Sequence, residues 1–222
     1  MRLLAIDTAM EACSVGVVDG AVTVTRSTVV GRGHAEILFA MVEAAMAEAG
    51  LAFADLDRVA VTVGPGSFTG LRVGIAAARG LALVVGCPVV GIGTLAVHAE
   101  EARALLGAVP VLAVNAASRG EVYGAVFAAD GRETISPAAA TAVAFAAYLE
   151  GDMAIAGSGA DLILAALPAG IAPRVAHRHA APDIAALCRL AGRADATGAP
   201  PRPLYLRPPD AKPQAGAAVA RR

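Results

Sequence analysis

Apolar positions in this 222-residue chain follow two different periods, and the points where the period changes mark its elements. Arg2–Asp7 (Arg-Leu-Leu-Ala-Ile-Asp) reads as a buried strand, and Ser14–Val18 and Ala21–Thr25 as two more. Asp19-Gly20 between them signals a two-residue hairpin, because such a turn needs positive φ. His34–Ala49 has helical spacing and is closed by Gly50. Val59, Val61 and Val63 alternate with Ala60 and Thr62 in a strand over 58–63. A helix pattern then runs from Thr69 to Val85, and Pro88–Ile92 is a further strand. The order β-β-β-α-β-α-β is that of a ribonuclease-H-like mixed sheet with flanking helices.

The second half begins in the same way. Val111–Asn115 (Val-Leu-Ala-Val-Asn) echoes Leu3–Asp7, Glu121–Ala128 follows as a strand, and Asp130-Gly131 repeats the hairpin signal. Ser136-Pro137 has the form of a helix start, an N-cap serine with proline at the first position, and predicts a helix to Glu150 that ends at Gly151. Met153–Ala156 is a short strand; Gly157-Ser158-Gly159 leads to a short helix over 160–167, and Asp183–Arg193 is a last helix behind Pro182. The echo points to a duplicated lobe with its seam near 100–108, although two apolar strand–hairpin units also arise by chance. Duplication predicts an α/β protein of the actin-like, Hsp70-like two-lobe class, each lobe a ribonuclease-H-like sheet. Residues 1–104 form the first lobe and 105–207 a second, less regular one. Prolines 200, 201, 203, 208, 209 and 213 exclude regular structure near the end. Leu204-Tyr205-Leu206-Arg207 is an apolar island expected to dock on the body, and 208–222 is expected to be a mobile tail.

Composition narrows the function classes. The chain is 57% hydrophobic, much of it alanine, with 4% aromatics and no tryptophan, so helices can pack closely but each side chain buries little area. A net charge of −1 gives no footprint for strong phosphate-backbone binding; RNA would be met weakly or beside another subunit. Lys212, Arg221 and Arg222 give the tail only a small basic bias. Three widely spaced cysteines, Cys13, Cys87 and Cys188, make no framework and fit a reducing cytoplasm. Asp7 interrupts any signal-peptide core, Ala138–Leu149 is too short to span a bilayer, and Arg79 breaks the apolar helix over 69–85, so no membrane segment is expected.

Candidate chemistry centres on Gly64-Pro65-Gly66-Ser67-Phe68-Thr69-Gly70, set between a strand and a helix, where free N–H groups can cradle an anion. The loop lacks the Gly-Lys-Ser/Thr ending of a Walker A motif, and a tight turn with Gly70 and Gly74 allowing close packing explains it equally. Asp7 and Thr8 end the first strand, where two-lobe ATPases place a metal- and phosphate-binding carboxylate. The echoed position holds Asn115, which cannot act as a general base. His34, His98, His177 and His179 form no His-x-x-x-His pair. His177 and His179 can share one strand face, but no Cys or carboxylate pair near them in sequence completes a ligand set. No base is placed to make Ser67 a nucleophile. On the helix over 34–49, Phe39 and Ala40 widen the stripe of Ile37, Leu38, Met41, Val42, Ala45, Met46 and Ala49. The helix over 69–85 has a flat small-residue face. Such faces bury inside a lobe or meet a partner.

Taken in order, Ala5-Ile6-Asp7-Thr8-Ala9, Glu11-Ala12-Cys13-Ser14, His34–Leu38, Gly64–Gly74, Gly91-Ile92-Gly93-Thr94-Leu95, Gly120-Glu121-Val122-Tyr123 and Tyr205-Leu206-Arg207 resemble the TsaB (YeaZ) family over nearly the whole length. The Gly-Pro-Gly-Ser-Phe-Thr-Gly-Leu-Arg block is the specific part. The resemblance implies the two-lobe fold and a role in making N6-threonylcarbamoyladenosine beside the tRNA anticodon. The chain would be a non-catalytic scaffold or activator paired with its paralogue TsaD. It further implies a TsaE-like ATPase as a third component and indirect access to tRNA; a homodimer through the same helices when the chain is alone is a separate, third reading. Pairing would use the two first-lobe helices, with His34, Ile37, Leu38, Met41, Val42, Met46, Arg72, Ile75 and Arg79 at the interface. The paralogue's His-x-x-x-His metal motif is broken here, because Thr94 stands at its first position and His98 alone remains. No metal and no cofactor of its own are expected. Asp7, Thr8 and Asn115 would line a vestigial nucleotide cleft, with any ATP or ADP contact made in the complex. Where the family has Asp-Ala-Arg, this chain reads Asn115-Ala116-Ala117-Ser118-Arg119. An ATP-dependent phosphotransferase or hydrolase of the same fold is the alternative. The glycoprotease label once given to relatives finds no protease site here.

Overall fold

A computed structural model describes residues 1–207; the expected tail over 208–222 lies outside the described residues. Three antiparallel strands open the chain: β1 (Arg2–Asp7), β2 (Ala12–Asp19) and β3 (Val22–Val29), with Gly20 at φ 58° in the first hairpin. Helix α1 (His34–Glu48), strand β4 (Arg58–Gly64), helix α2 (Phe68–Val85) and strand β5 (Val89–Gly93) complete a sheet of order β3-β2-β1-β4-β5. β4 runs parallel to β1, and β5 parallel to β4.

After α3 (Thr94–Leu106) the same plan returns with β6 (Val111–Ala116), β7 (Glu121–Phe127), β8 (Glu133–Thr141), α4 (Ala142–Ala146), β9 (Ala154–Ala156), α5 (Ala160–Ala166) and β10 (Arg174–His177). The second sheet has the order β10-β9-β6-β7-β8. Read from its other end it is the first sheet again, with β6 paired antiparallel to β7 and parallel to β9. The two lobes therefore share one topology, as the echo of Leu3–Asp7 in Val111–Asn115 predicts. The turn after β4 and the turn after β9 even repeat one backbone conformation, with Gly64 at φ 110° and Gly157 at φ 111°.

The expected helix from Ser136-Pro137 to Glu150 is corrected. Residues 133–141 form edge strand β8, and the helix is confined to Ala142–Ala146, capped by the Thr141 hydroxyl, which accepts from Ala144 N. Pro137 is tolerated because β8 pairs on one side only and its register with β7 shifts between Gly124↔Ala138 and Val126↔Ile135. Phe145 of α4 is buried, with the tip of its ring against Gly124 of β7.

Helix α3 joins the sheets and was not legible as a helix. Its Leu95, Ala99 and Ala102 pack with Val111, Ala113 and Phe127 of the second sheet, while Val97 joins Leu3, Ala5, Ala60 and Val90 of the first. That cluster is completed by α6 (Ile184–Arg193), which returns to the first sheet with Ile184, Leu187, Cys188 and Ala191. The other face of that sheet packs against α1 and α2. α2 is long and apolar enough by composition to cross a membrane, but Leu71, Gly74, Ile75, Ala78 and Ala82 bury one face of it in the first-lobe core. All three cysteines are free, and burial pushes the thiols of Cys13 and Cys188 up to about 11 and about 12.

Two glycine substitutions should separate packing from backbone entropy. A Cβ on Gly124 would stand 2.7 Å from the Phe145 ring, so Gly124→Ala should destabilise by about 1–3 kcal/mol. Gly80, on α2, has open space around it, and Gly80→Ala should stabilise by about 0.5–1 kcal/mol. Urea midpoints of the two variants should move in opposite directions.

Candidate functional site

The glycine loop and the end of β1 form one locked unit. Ser67 N donates to Ala9 O at 2.7 Å, and the Thr8 hydroxyl donates to Gly70 O at 2.7 Å. A Cβ on Gly66 or Gly70 would collide with the carbonyls of Ala9 and Thr8, and one on Gly74 with the Thr8 hydroxyl. Those three glycines let α2 lie directly on the residues after β1. Ser67 caps α2 by accepting from Gly70 N at 3.3 Å, so part of the anion-binding capacity of this helix start is taken by its own chain. The Gly64–Pro65 peptide is cis.

Leu204 N donates to Val63 O at 2.7 Å, which brings the expected apolar island onto this loop. Tyr205 packs on Phe68 with ring centroids 4.8 Å apart, and the Arg72 guanidinium lies 3.8 Å over Phe68 while donating to the Tyr205 hydroxyl at 3.0 Å. Arg207 pairs with Glu121 and donates to Ser118 O and Oγ. Residues 204–207 thus tie the first-lobe loop to the β6–β7 corner of the second lobe. The signal for this was the isolated Leu-Tyr-Leu-Arg within a proline-rich run.

Asp7 is fully buried behind this loop. Its Oδ1 accepts from Thr62 Oγ1 at 2.5 Å and from Ala9 N at 3.1 Å, and Oδ2 has no partner. Burial pushes its carboxyl up to about 6, against the opposing pull of the Thr62 hydroxyl, the Ala9 amide and nearby His34. Asn115, its counterpart on β6, belongs to a different network. Its Oδ1 accepts from Ser158 N and Oγ at 3.1 and 3.2 Å, and its Nδ2 donates to Ala180 O at 3.2 Å. A carboxylate there would face the Ala180 carbonyl with no proton to offer, so the asparagine fits this pocket as an acid would not.

His98, beside Asn115, is fully buried. Its Nε2 lies 3.0 Å from both the Ala180 carbonyl oxygen and the Asn115 amide nitrogen, and its Nδ1 completes no hydrogen bond. Burial first, then His177 and His179, push His98 down to about 3, and burial lowers His177 as well. His177 and His179 were expected on one strand face, but nothing in their spacing joined them to His98. The fold brings them together through α3 and the end of β10.

The residues expected at a partner surface divide sharply. His34, Leu38, Val42, Met46 and Ile75 are buried in the first lobe's own core, and Ile37 and Met41 are half-buried against it. Positions 34, 38, 42 and 46 form the stripe by which α1 packs on its own lobe. Arg72 is exposed but engaged with Phe68 and Tyr205, and Arg79 lines an open groove with Leu83, Pro88 and Pro200. What stays uncovered is Phe39, 51% exposed, over a groove of about 370 Å³ floored by Val73, Ala76 and Ala77, with Leu83 and Val84 at 83% and 86% exposure further along α2. The widening of the α1 stripe by Phe39 was the sequence signal for this face.

Comparison with known proteins agrees with this architecture. The family described as "TsaD: tRNA N6-adenosine threonylcarbamoyltransferase" matches residues 27–163. An uncharacterized protein of Mycobacterium tuberculosis is 42% identical over 218 residues, covering 96% of this chain and 95% of that protein. The tRNA threonylcarbamoyladenosine biosynthesis protein TsaB of Escherichia coli is 41% identical over 130 residues, covering 59% of this chain and 56% of its own length. Among solved structures, YeaZ from Pseudomonas aeruginosa superposes with a TM-score of 0.81 at 31% identity, over 92% of this chain and 99% of that one.

Asp7 should be visible as a pH dependence of stability. Its folded value of about 6 exceeds the ordinary 3.8, so between these values the native state holds a proton that the unfolded chain has released. The contribution is fully present below about pH 4 and is lost as pH rises to about 6, a change on the order of 2–3 kcal/mol. Denaturant unfolding of wild type and Asp7→Asn from pH 4 to pH 8 should show a stability difference that shifts only in that window. A difference independent of pH would remove the assignment.

Proposed function

Because the chain belongs to the TsaB (YeaZ) family, we propose that it is the scaffold or activator subunit of the complex that places threonylcarbamoyl on the adenosine beside the tRNA anticodon, and that it works by dimerising with a TsaD-type catalytic subunit. Family membership supports the role in this tRNA modification. The pairing rests on one observation, the apolar strip of Phe39, Val73, Ala76, Ala77 and Leu83 that the first lobe leaves uncovered on α1 and α2. A paralogue with the same two helices can present a matching strip, which gives a quasi-symmetric contact of four helices. The same face serves a homodimer when the partner is absent.

In this reading the chain carries no catalytic residue. Asn115 is committed to Ser158 and Ala180, and the glycine loop is closed on Thr8 and Ala9. Any ATP or ADP contact belongs to the assembled complex, a TsaE-like ATPase joins it, tRNA is reached through the partner, and the setting is the cytoplasm.

Phe39→Asp and Leu83→Asp change exposed side chains and should leave the fold intact by circular dichroism. Each should weaken co-purification with the TsaD-type subunit by about 30-fold or more, the scale of an aromatic or apolar anchor at an interface centre, and lower tRNA modification in the reconstituted system in parallel. Unchanged binding by both would sink the interface. Robust ATP turnover by the purified chain alone would favour the phosphotransferase or hydrolase reading.

A further inference from the structure

Outside the glycine loop and the helical face, the densest group of ligand-type side chains lies where α3 meets the end of β10. His98, Glu101, His177 and His179 each offer one ligand atom, and these atoms lie within 4.8 Å of one another. His98 and Glu101 are three residues apart on one face of α3. His177 and His179 are two apart in extended chain and stack at 3.9 Å between ring centroids. Glu101 is nearly buried. It sits 3.5 Å from His177 Nε2 and 2.9 Å from His179 Nε2, and accepts from Asp183 N at 3.1 Å.

Hydrogen bonding inside the protein does not account for the group. His98 Nδ1 and both ring nitrogens of His177 are buried and complete no hydrogen bond. Buried polar nitrogens left without partners are costly, and each neutral imidazole has one lone pair, so His98 and His177 can each turn one toward a cation. Supporting contacts are already present: His98 Nε2 lies 3.0 Å from Ala180 O and from Asn115 Nδ2, and the Asp183 amide donates to Glu101. This is the arrangement that orients metal-bound histidine and carboxylate ligands.

We propose that His98, Glu101, His177 and His179 bind one divalent transition-metal cation, Zn2+ by the chemistry of the donors, as a structural site. Three imidazoles and one carboxylate suit zinc; magnesium and calcium would take more oxygen ligands. Four protein ligands close the coordination shell and leave no open position for a substrate. Ligand atoms at the corners of a zinc tetrahedron stand about 3.3 Å apart, so binding draws the group inward by roughly 1.5 Å at most. His179, half exposed, is free to make that movement. The cation would fasten β10 to α3. β10 is a four-residue edge strand whose register shifts between Val175 and His177.

The test uses the full chain, freed of any histidine tag and stripped with a chelator, and titrated with Zn2+ in a calorimeter. One Zn2+ per chain with a submicromolar Kd is expected, together with a rise in Tm and a tetrahedral absorption spectrum when Co2+ is used instead. His179→Ala and Glu101→Gln should each raise Kd at least tenfold; His179→Ala is the safer variant for folding because its side chain is half exposed. Absence of saturable binding by the wild-type chain would overturn the proposal. So would wild-type affinity in both variants, which would place the ion elsewhere.

Discussion

The buried carboxylate of Glu100 accepts from Arg103, Arg189 and Arg193 at 3.0, 3.2 and 2.9 Å, and through these bonds α6 is fastened to α3. Burial alone would raise its proton affinity, but the three guanidiniums outweigh burial and hold the carboxyl below its usual range. A carboxylate so placed is tolerable only while its partners stay, since removing one leaves charge in a poorly solvated site. The arrangement decides more than one helix pair. α3 is packed by both sheets, and α6 covers the face of the first sheet that α1 and α2 do not reach. If α6 left α3, Leu3, Ala5, Ala60 and Val90 would lose their cover. The uncovered apolar face of α1 and α2 depends on it indirectly, because those helices lie on a sheet sealed from behind.

Duplication supplied two copies of one lobe, and side chains at equivalent places now do different work. The end of β1 keeps an acid with one oxygen unpartnered, locked behind a glycine loop. The end of β6 has an amide whose two ends are both used, one by Ser158 and the other by Ala180. The Asn115 amide joins β6 to the turn after β9 and to the segment that leads into α6. A site for chemistry needs groups left free to react. Here the second lobe uses the equivalent group to hold itself together.

Much of the first lobe was legible in the sequence because its signals are local: alternation in β4, Asp19-Gly20 in the hairpin, Gly50 beyond α1. The second lobe was less so. Ser136-Pro137 satisfies a helix-start rule, and the rule does not know that β8 pairs on one side only and bulges at that point. The echo of lobe one would have called for a third strand there, and it was the better guide. α3 escaped notice because it is buried on several faces and also carries His98, Glu100 and Glu101, so no single apolar stripe marks it. The expected partner residues meet a related limit. A stripe of Leu38, Val42 and Met46 says that a helix is buried but not against what; only the odd residue outside it, Phe39, pointed outward. Only half of the histidine group was legible, His177 and His179 on one strand face; His98 and Glu101 meet them only when α3 docks on β10.

The late position of α6 in the chain has a consequence for how the protein is made. A ribosome releases the whole first sheet by Gly93, yet the helix that covers its second face begins only at Ile184. Throughout synthesis of the second lobe, the apolar face formed by Leu3, Ala5, Ala60 and Val90 is without its lid. Nascent chains fold domain by domain from the N-terminus, and apolar surface exposed in that interval invites aggregation. The first lobe is thus begun first and finished last.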